Sequence, residues 1–271
     1  MSSTFSKLSP GTITEHMPTA VADGMIYKLM DNTGKLVQTY VSIGDEWRPV
    51  FVNNVQDILD RIKAAGVSYF ANDNIASFLN EGDLDRIQAA VQNDVNSMLR
   101  HMLIDVDNDH NSNETAKRVA KMFVREFYRG RYVEMPSVTV FPNAKQIDQL
   151  YIVGPVSVKS TCSHHLVPIV GKVWVGCIPG NDLSGLSKFA RLAEWIFRRP
   201  QIQEEATHQL AELLEDLLKP KALSLIVKAQ HMCMCHRGVE DPDSEHTTSY
   251  MGGAFKTDAA LRMEFLTLIS K

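Results

Sequence analysis

The order of hydrophobic patterns in the C-terminal two-thirds of this 271-residue chain constrains its fold most strongly. Stretches with a period near 3.6 residues predict helices, and stretches that alternate predict strands. These stretches are grouped rather than strictly alternating, since helices come first, followed by strands, two helices, more strands and a last helix. Such grouping favours an α+β fold with an antiparallel sheet over a doubly wound parallel sheet.

The predicted segments divide the chain into two parts. In the first part, alternation over residues 25–42 around an Asp-Asn-Thr-Gly turn predicts a β-hairpin, and helices are predicted at 54–65 and near 75–79. In the second part, the predicted helices are 83–103, 114–129, 187–197, 202–218 and 259–269, and the predicted strands are 137–141, 150–159, 166–178, 222–234 and 246–255. We therefore divide the chain near Gly82 into an N-terminal extension, residues 1–83, and a main domain, residues 84–271.

Composition and charge exclude several classes of partner. The net charge is -4 and the hydrophobic fraction is 44%, so no general affinity for nucleic acid or for membranes is expected. No apolar run reaches the roughly 18 residues of a membrane span, and the N-terminus lacks the apolar segment of a secretory signal. We therefore expect a cytoplasmic location. In that reducing compartment, cysteines serve metal binding or catalysis more often than disulfides.

Two clusters of cysteine and histidine indicate a metal site. Cys162 and His165 have Cys-x-x-His spacing, and the second cluster reads His231-Met-Cys-Met-Cys-His236. Thiolate and imidazole ligands select zinc over magnesium or calcium. The spacing leaves open whether Cys233 or Cys235 completes the set. Three protein ligands would leave one position for water, which is the arrangement of catalytic rather than structural zinc sites.

Ordinary burial is the alternative interpretation of these clusters, because cysteine is often a core residue. Cys177, which falls in an apolar predicted strand, is expected to be core for that reason. His164 and His231 flank the candidate ligands. They could transfer protons near neutral pH, or they could support a ligand or face solvent.

A set of polar and charged residues could hold an anionic substrate. Ser187, Lys188 and Arg191 lie at the start of a predicted helix, where a hydroxyl group and two cations favour an anion. Arg118 and Arg237 lie on other segments. Because the sequence does not show whether these residues converge, an ordinary charged surface is the alternative.

Gln203 and Glu204 begin the next predicted helix. A carboxylate there could accept two parallel N–H groups, which the edge of a guanine base offers through N1 and N2. The alternative is an acidic residue that the helix dipole favours in the first turn.

Several segments together carry a resemblance to a known family. They are Thr161-Cys-Ser-His-His-Leu-Val-Pro168, Gly171-Lys-Val173, Gly185-Leu-Ser-Lys-Phe-Ala-Arg191, Arg199-Pro-Gln-Ile-Gln-Glu204, His231-Met-Cys-Met234, Arg237-Gly238, Thr247-Thr-Ser249 with Gly252, and Arg118-Val-Ala-Lys-Met122. In order and spacing, the chain resembles the GTP cyclohydrolase I family over about residues 84–271.

The resemblance implies the tunnelling fold, in which an antiparallel sheet is backed by paired helices. In that family the sheets of several subunits join into an oligomeric barrel, typically a decamer of two stacked rings. Its active sites lie between subunits. A homo-oligomer, with GTP as the substrate, is therefore what the resemblance implies for this chain.

The resemblance also assigns roles to individual residues. It implies zinc ligation by Cys162, His165 and Cys233, and acid–base catalysis by His164 and His231. It implies that Gln203 and Glu204 recognise guanine. The residues that it implies for the triphosphate are Ser187, Lys188, Arg191, Arg237 and Arg118, with Arg118 reaching the site of a neighbouring subunit.

The implied reaction is zinc-dependent hydrolysis of GTP at purine C8, with release of formate and formation of 7,8-dihydroneopterin triphosphate. Folate, pterin and 7-deazaguanine compounds all lie downstream of that step. Ser163 stands where the family usually has Glu, so a tunnelling-fold protein that binds a purine or pterin nucleotide without this catalysis is the alternative. A zinc-free enzyme with a cysteine nucleophile is disfavoured by the complete ligand set, and a structural zinc module by the missing fourth ligand. The extension is absent from the family pattern, and its role stays open between structural and regulatory.

Overall fold

The computed structural model describes residues 4–7, 26–30, 36–43, 46–50 and 55–270, and before residue 55 it describes the side chains of Tyr27 and Tyr40. Contacts divide the chain into two units, one of residues 1–59 with 85–117 and the other of residues 60–84 with 118–271. The boundary that we place after residue 83 stays a prediction about domain organisation.

A four-stranded sheet forms the N-terminal part of the first unit. Its strands are β1 (Thr4–Lys7), β2 (Ile26–Met30), β3 (Leu36–Ile43) and β4 (Glu46–Val50), in that spatial order. β2 and β3 pair antiparallel, as expected of the hairpin predicted over residues 25–42, whose turn at 31–35 lies outside the described residues. β1 and β4 were not predicted. β1 runs parallel to β2.

The helices that follow confirm most of the predicted segments. They are α1 (Gln56–Ala64), a 3-10 turn (Ala76–Phe78), α2 (Asp83–His101), α3 (Thr115–Lys121) and α4 (Arg129–Tyr132). The single helix predicted over 114–129 is wrong in its second half, where Met122–Phe127 is a π-helix. There the N–H of Tyr128 donates to the carbonyl of Phe123, five residues earlier.

A five-stranded sheet is the centre of the second unit. The strands from here on are β5 (Val140–Pro142), β6 (Tyr151–Cys162), β7 (Pro168–Ile178), β8 (Asp182–Ser184), β9 (Pro200–Gln201), β10 (Ala222–His231) and β11 (His246–Met251). The sheet order is β11-β10-β7-β6-β9, antiparallel except that the short β9 runs parallel to β6. The strand predicted at 137–141 is shorter and shifted, because β5 pairs with β8 in a separate two-stranded sheet.

Two helices cover one face of the five-stranded sheet. They are α5 (Leu186–Phe197) and α6 (Gln203–Leu218). α5 buries the apolar stripe of Phe189, Leu192, Ala193, Ile196 and Phe197, which is the spacing of one helix face. Opposite them lie alternate residues of the strands, including Val173, Val175, Leu223 and Leu225, with Cys177 in the same core as predicted.

The opposite face of the sheet packs against α8 (Ala259–Ile269), which follows α7 (Met232–Cys235) and a 3-10 turn. Asp258 caps α8 by accepting the N–H groups of Ala260 and Leu261. Phe265 of α8 lies so close to Gly176 that a Cβ there would come within 2.8 Å of its ring. The predicted α+β fold, an antiparallel sheet backed by paired helices, is confirmed.

The strand predicted over 222–234 ends earlier than expected, at His231. The next four residues turn into α7 instead, so the second Cys/His cluster lies on a helical turn. Within the described residues, no helix combines the length and the apolar character that crossing a membrane requires.

Candidate functional site

Strand pairing brings the two Cys/His clusters together. β6 ends at Cys162, and a tight turn returns the chain to β7, closed by the N–H of Leu166 donating to the carbonyl of Cys162. Leu166 has a positive φ of 55°, which the sharpness of this turn requires. His231, the last residue of β10, is paired with Ile169 near the start of β7. The turn after β6 and the helical turn after β10 therefore meet at one end of the sheet.

Three side chains at that end could hold a metal ion. Ligand atoms of Cys162, His165 and Cys233 all lie within 4.8 Å of one another, and Sγ of Cys162 is 3.9 Å from Nδ1 of His165. Two ligands of a tetrahedral zinc ion, each about 2.0–2.3 Å from the metal, stand roughly 3.5 Å apart. The observed spacing is therefore close to that of a metal site.

The second cluster contributes Cys233 to this group rather than Cys235. The thiol of Cys235 lies 3.6 Å from the carbonyl oxygen of Ser244. Burial, and the neighbouring thiol of Cys162, raise the pKa of Cys233. A thiol must lose its proton to bind a metal ion, so the raised pKa of Cys233 would make metal binding at this site depend on pH.

Arg237 lies directly against the metal group. Its Nη1 is 2.7 Å from Nε2 of His165. His164 is exposed, with its ring 6.3 Å from that of His165 in an edge-on arrangement. The turn after α7 thus sets a permanent positive charge beside the candidate ligands.

His231 contacts the start of α6. Its Nε2 lies 2.8 Å from Oε1 of Gln203, whose side chain is buried. Burial lowers the pKa of His231, and the nearby His246 lowers it further while Glu204 opposes the shift. The rings of His231 and His246 are 5.6 Å apart and edge-on.

The side chain of Glu204 is exposed, whereas that of the preceding Gln203 is buried. One of its carboxylate oxygens lies 3.1 Å from Nε2 of His246. The pKa of Glu204 is lowered, first by its own backbone N–H and then by the His246 side chain. His246 was not singled out from the sequence. The available signal was its place directly before Thr247-Thr-Ser249, and β11 pairs it with Ala229, two residues before His231.

The residues predicted to hold phosphate lie on separate elements. Ser187, Lys188 and Arg191 are in the first turns of α5, with Ser187 and Arg191 exposed. The ammonium group of Lys188 donates to the carbonyl of Ser137 at 3.0 Å. Arg118 lies exposed on α3. Of the residues predicted to hold phosphate, Arg237 contacts the candidate metal group. The others lie on two different helices, α3 and α5.

Ser163 lines a cavity of about 240 Å³ together with part of the N-terminal extension. The walls of this cavity are Phe70, Ala71, Asn72, Ser163, Pro200, Ile202 and Glu205. Asn72 donates to the carboxylate of Glu205 at 2.7 Å. The extension therefore reaches the residue that follows Cys162, which the sequence did not predict.

Two arginines hold this part of the extension through its backbone. Arg131 donates to the carbonyl groups of Tyr69 at 3.1 Å and of Asp73 at 2.9 Å, and also contacts that of Phe70. Arg199 donates to the carbonyl of Asn72 at 2.9 Å. Burial lowers the pKa of Arg199 to about 10. These contacts join residues far apart in the chain, so no local sequence pattern predicts them.

Comparisons with known proteins agree in one family. A family model described as GTP cyclohydrolase I matches residues 91–270. A GTP cyclohydrolase 1 of Mycolicibacterium paratuberculosis is 40% identical over 204 residues, which are 73% of this chain and 96% of that protein. One from Aeromonas hydrophila is 43% identical over 154 residues, 56% of this chain and 71% of that protein. One from Haemophilus ducreyi is 36% identical over 190 residues, 70% of this chain and 87% of that protein.

Among solved structures, the crystal structure of the archaeosine synthase QueF-Like in the apo form is 16% identical. The match covers 44% of this chain and 97% of the solved chain, with a TM-score of 0.30.

Proposed function

Because this chain belongs to the GTP cyclohydrolase I family, whose tunnelling fold its motifs predicted, we propose that it is a zinc-dependent GTP cyclohydrolase. It would hydrolyse GTP at purine C8, release formate and form 7,8-dihydroneopterin triphosphate. The observation that carries the proposal is the meeting of Cys162, His165 and Cys233 within 4.8 Å. These residues come from two distant segments, and a shared metal ion explains why they meet.

Zinc fits this group by donor chemistry and by count. Two thiolates and one imidazole are ligands that zinc prefers, and three of them leave a position open. When bound there, zinc would act as a Lewis acid and lower the pKa of water enough to supply a nucleophile near neutral pH. The closed four-ligand arrangement of a structural zinc site finds no support among the side chains described here.

Proton transfer is the task that we assign to His164 and His231. Opening the ring breaks one C–N bond at C8, release of formate breaks the other, and each nitrogen that leaves carbon must gain a proton. An imidazole is suited to this exchange because its pKa lies near neutrality. His231 lies two residues before Cys233, and His164 directly before His165, so both stand next to proposed ligands.

Base recognition is assigned to the start of α6. Glu204 has an exposed carboxylate with a lowered pKa, so it is ionised at neutral pH and can accept N1–H and N2–H₂ of guanine. Gln203, the other member of the predicted pair, belongs to the site through its contact with His231.

The triphosphate is assigned to the cationic residues. Ser187, Lys188 and Arg191 stand in the first turns of α5, where backbone N–H groups and cations favour an anion. Arg237 would join them from the metal side. Arg118 is proposed to serve the site of a neighbouring subunit.

A homo-oligomer is part of the proposal, as a decamer with active sites between subunits. Its support is that, among the residues the structure describes, both edges of the five-stranded sheet are largely unpaired. β11 ends the sheet on one side, and β9 covers just Thr161 and Cys162 of the twelve-residue β6 on the other. Strand edges of this kind offer unpaired backbone groups to another subunit. The cytoplasm stays the predicted location, and the product could feed folate, pterin or 7-deazaguanine synthesis.

One assay tests the proposed function. Full-length protein loaded with zinc is mixed with GTP, and formate and the absorbance of a reduced pterin are followed. We expect both to appear together, about one zinc per subunit, and no turnover of ATP. Protein that holds zinc and binds GTP without releasing formate would refute the activity and support the alternative of a nucleotide-binding protein. Light scattering on the same sample tests the decamer.

A further inference from the structure

The side chain of Gln203 is hydrogen-bonded at both ends within the chain. It is 1% exposed, although it begins α6 next to the exposed Glu204. Its Nε2 lies 3.1 Å from the backbone carbonyl oxygens of both Val227 and His246. A carbonyl oxygen only accepts hydrogen bonds, so the end of the amide that faces these two atoms must be the NH₂ group. The reverse orientation would set the amide oxygen against two carbonyl oxygens.

Two threonines require the same orientation. Thr207 Oγ1 lies 2.7 Å from the backbone carbonyl of Gln203, to which it donates, and 2.8 Å from Oγ1 of Thr248. Because a hydroxyl group has one hydrogen, Thr207 must accept from Thr248. Thr248 has then used its own hydrogen, so toward Nε2 of Gln203 at 3.1 Å it can only accept, and the two hydrogens of the amide are shared among this hydroxyl and the two carbonyl oxygens. Every hydrogen bond in this closed set has one consistent direction.

We infer that Gln203 is a positioning residue that fixes the tautomer of His231. With its NH₂ group committed to the strands, the amide oxygen of Gln203 faces Nε2 of His231 at 2.8 Å. An amide oxygen only accepts, so Nε2 of the imidazole carries a hydrogen. A neutral imidazole has one N–H, and Nδ1 therefore holds the lone pair.

This inference deepens the proposed function and rests on it, since it takes His231 to transfer protons. The geometry leaves Nδ1 as the ring nitrogen with a free lone pair, available to that task, while Nε2 stays bonded to Gln203. Gln203 then acts without touching the substrate. The family resemblance implies one shared role for Gln203 and Glu204, the recognition of guanine. The structure supports a division, in which Glu204 reads the base and Gln203 orients the histidine.

Nuclear magnetic resonance measures the tautomer directly. Zinc-loaded protein labelled with ¹⁵N-histidine is examined at mildly alkaline pH, and the variant His231→Asn identifies the signals of His231 by their loss. We expect a protonated nitrogen at Nε2, with a slowly exchanging hydrogen, and an unprotonated nitrogen at Nδ1. A hydrogen found on Nδ1 of the wild-type protein would overturn the inference, whether or not any variant of Gln203 folds.

Kinetics of Gln203→Leu separate positioning from base recognition. We expect kcat to fall by about 10²-fold, the usual size of a lost acid–base contribution. The KM for GTP and the preference for GTP over inosine triphosphate should stay unchanged, and the slowly exchanging Nε2 hydrogen should be lost. A raised KM and a weaker preference for GTP, with that hydrogen retained, would show that Gln203 reads the base and would overturn the inference.

Gln209→Leu is the matched control, because Gln209 lies on the same helix and bonds to Gln201 rather than to His231. It should change neither kcat nor the His231 signals. The tautomer and the turnover are measured separately. Wild-type protein that shows the expected tautomer but releases no formate would defeat the proposed function and leave the hydrogen-bond assignment standing.

Discussion

Two groups of predicted site residues differ in how the chain places them. The metal-side group comprises Cys162, His165, Cys233, His231, Gln203 and Glu204, and the phosphate-side group comprises Ser187, Lys188, Arg191 and Arg118. Residues of the first group stand at the ends of paired strands and at the start of α6, and most contact one another directly. Residues of the second group stand on α3 and α5, and Ser187, Arg191 and Arg118 are exposed.

One fold can therefore prepare two parts of a predicted site to different degrees. Strand register and the hydrogen bonds of the buried Gln203 position much of the metal-side group within the chain itself, and such preorganisation would favour the proposed chemistry. The residues of the phosphate-side group lie mostly exposed on helices, so we expect them to adjust when they bind an anion. Substitutions in the first group should therefore damage turnover, and those in the second should mainly weaken binding.

The largest effect should come from Cys233→Ser, which breaks the metal-side group at its centre. We expect zinc content to fall close to zero and turnover to fall by about 10³-fold or more, because a catalytic metal supplies several kcal/mol. Cys235→Ser is the matched control, since its thiol points to Ser244, and it should keep both zinc and activity. Metal analysis and the formate assay measure both quantities. Loss of zinc in Cys235→Ser with zinc retained in Cys233→Ser would contradict the assignment of Cys233 as a ligand.

Glu204→Gln should have the next largest effect. Replacing a carboxylate by an amide removes one of the two acceptors for guanine, and a hydrogen bond to a charged group contributes about 1.5–3 kcal/mol. We expect kcat/KM for GTP to fall by about 10–100-fold, with weaker preference for GTP over inosine triphosphate and with zinc retained. Glu212→Gln, an exposed carboxylate on the same helix, should leave all three unchanged. An unchanged preference for GTP over inosine triphosphate in Glu204→Gln would show that Glu204 does not recognise guanine.

Lys188→Met and Arg237→Met test the boundary between the two groups. Lys188→Met should raise the KM for GTP by about 10-fold, leave zinc in place, and weaken the salt dependence of KM, because salt screens the attraction between a partly exposed cation and an anion. Arg237→Met should raise KM as well and also change zinc affinity, since its guanidinium contacts His165. Zinc affinity is measured by titration with a zinc indicator, and KM by steady-state kinetics. Equal zinc affinity in both variants would place Arg237 in the phosphate-side group alone.

The smallest effect is expected from Ser163→Glu, which restores the residue usual in the family. The new carboxylate would share the cavity with Glu205, and like charges in one cavity repel. We expect kcat to change by less than about 10-fold, since zinc ligands are untouched. The double variant Ser163→Glu with Glu205→Gln should recover what the single variant loses. A strong gain of activity in the single variant would show that Ser163 limits this enzyme.

Much of the fold was predictable because its signals are local. The apolar stripe of α5 and the bounds of α8 follow from spacing and from the Asp258 cap. The end of β10 was misplaced because Met232–Cys235 continues an apolar pattern that a strand and a helical turn share. The π-helix at Met122–Phe127 was missed since no residue type marks a shifted hydrogen bond.

The candidate site was predictable in its residue types and less so in its contacts. Family motifs supplied the metal-side residues, and the choice of Cys233 agrees with the group that the structure brings together. The bond from Gln203 to His231 was not foreseen, because it depends on where β10, β11 and α6 meet. The carbonyl contacts of Arg131 and Arg199 join segments about 60 and 127 residues apart, which spacing arguments do not reach.

Those carbonyl contacts bear on how this protein can be shortened. A chain trimmed to start at residue 91, where the family match begins, would remove the segment that Arg131 and Arg199 bind. Arg199 is buried, so the loss of its bond to Asn72 would leave a cation with fewer acceptors, at a cost of about 1.5–3 kcal/mol. Glu205 would lose Asn72 at the same time. Residues 69–74 therefore belong to the same folded unit as the candidate metal group, although they precede the stretch that the family model matches.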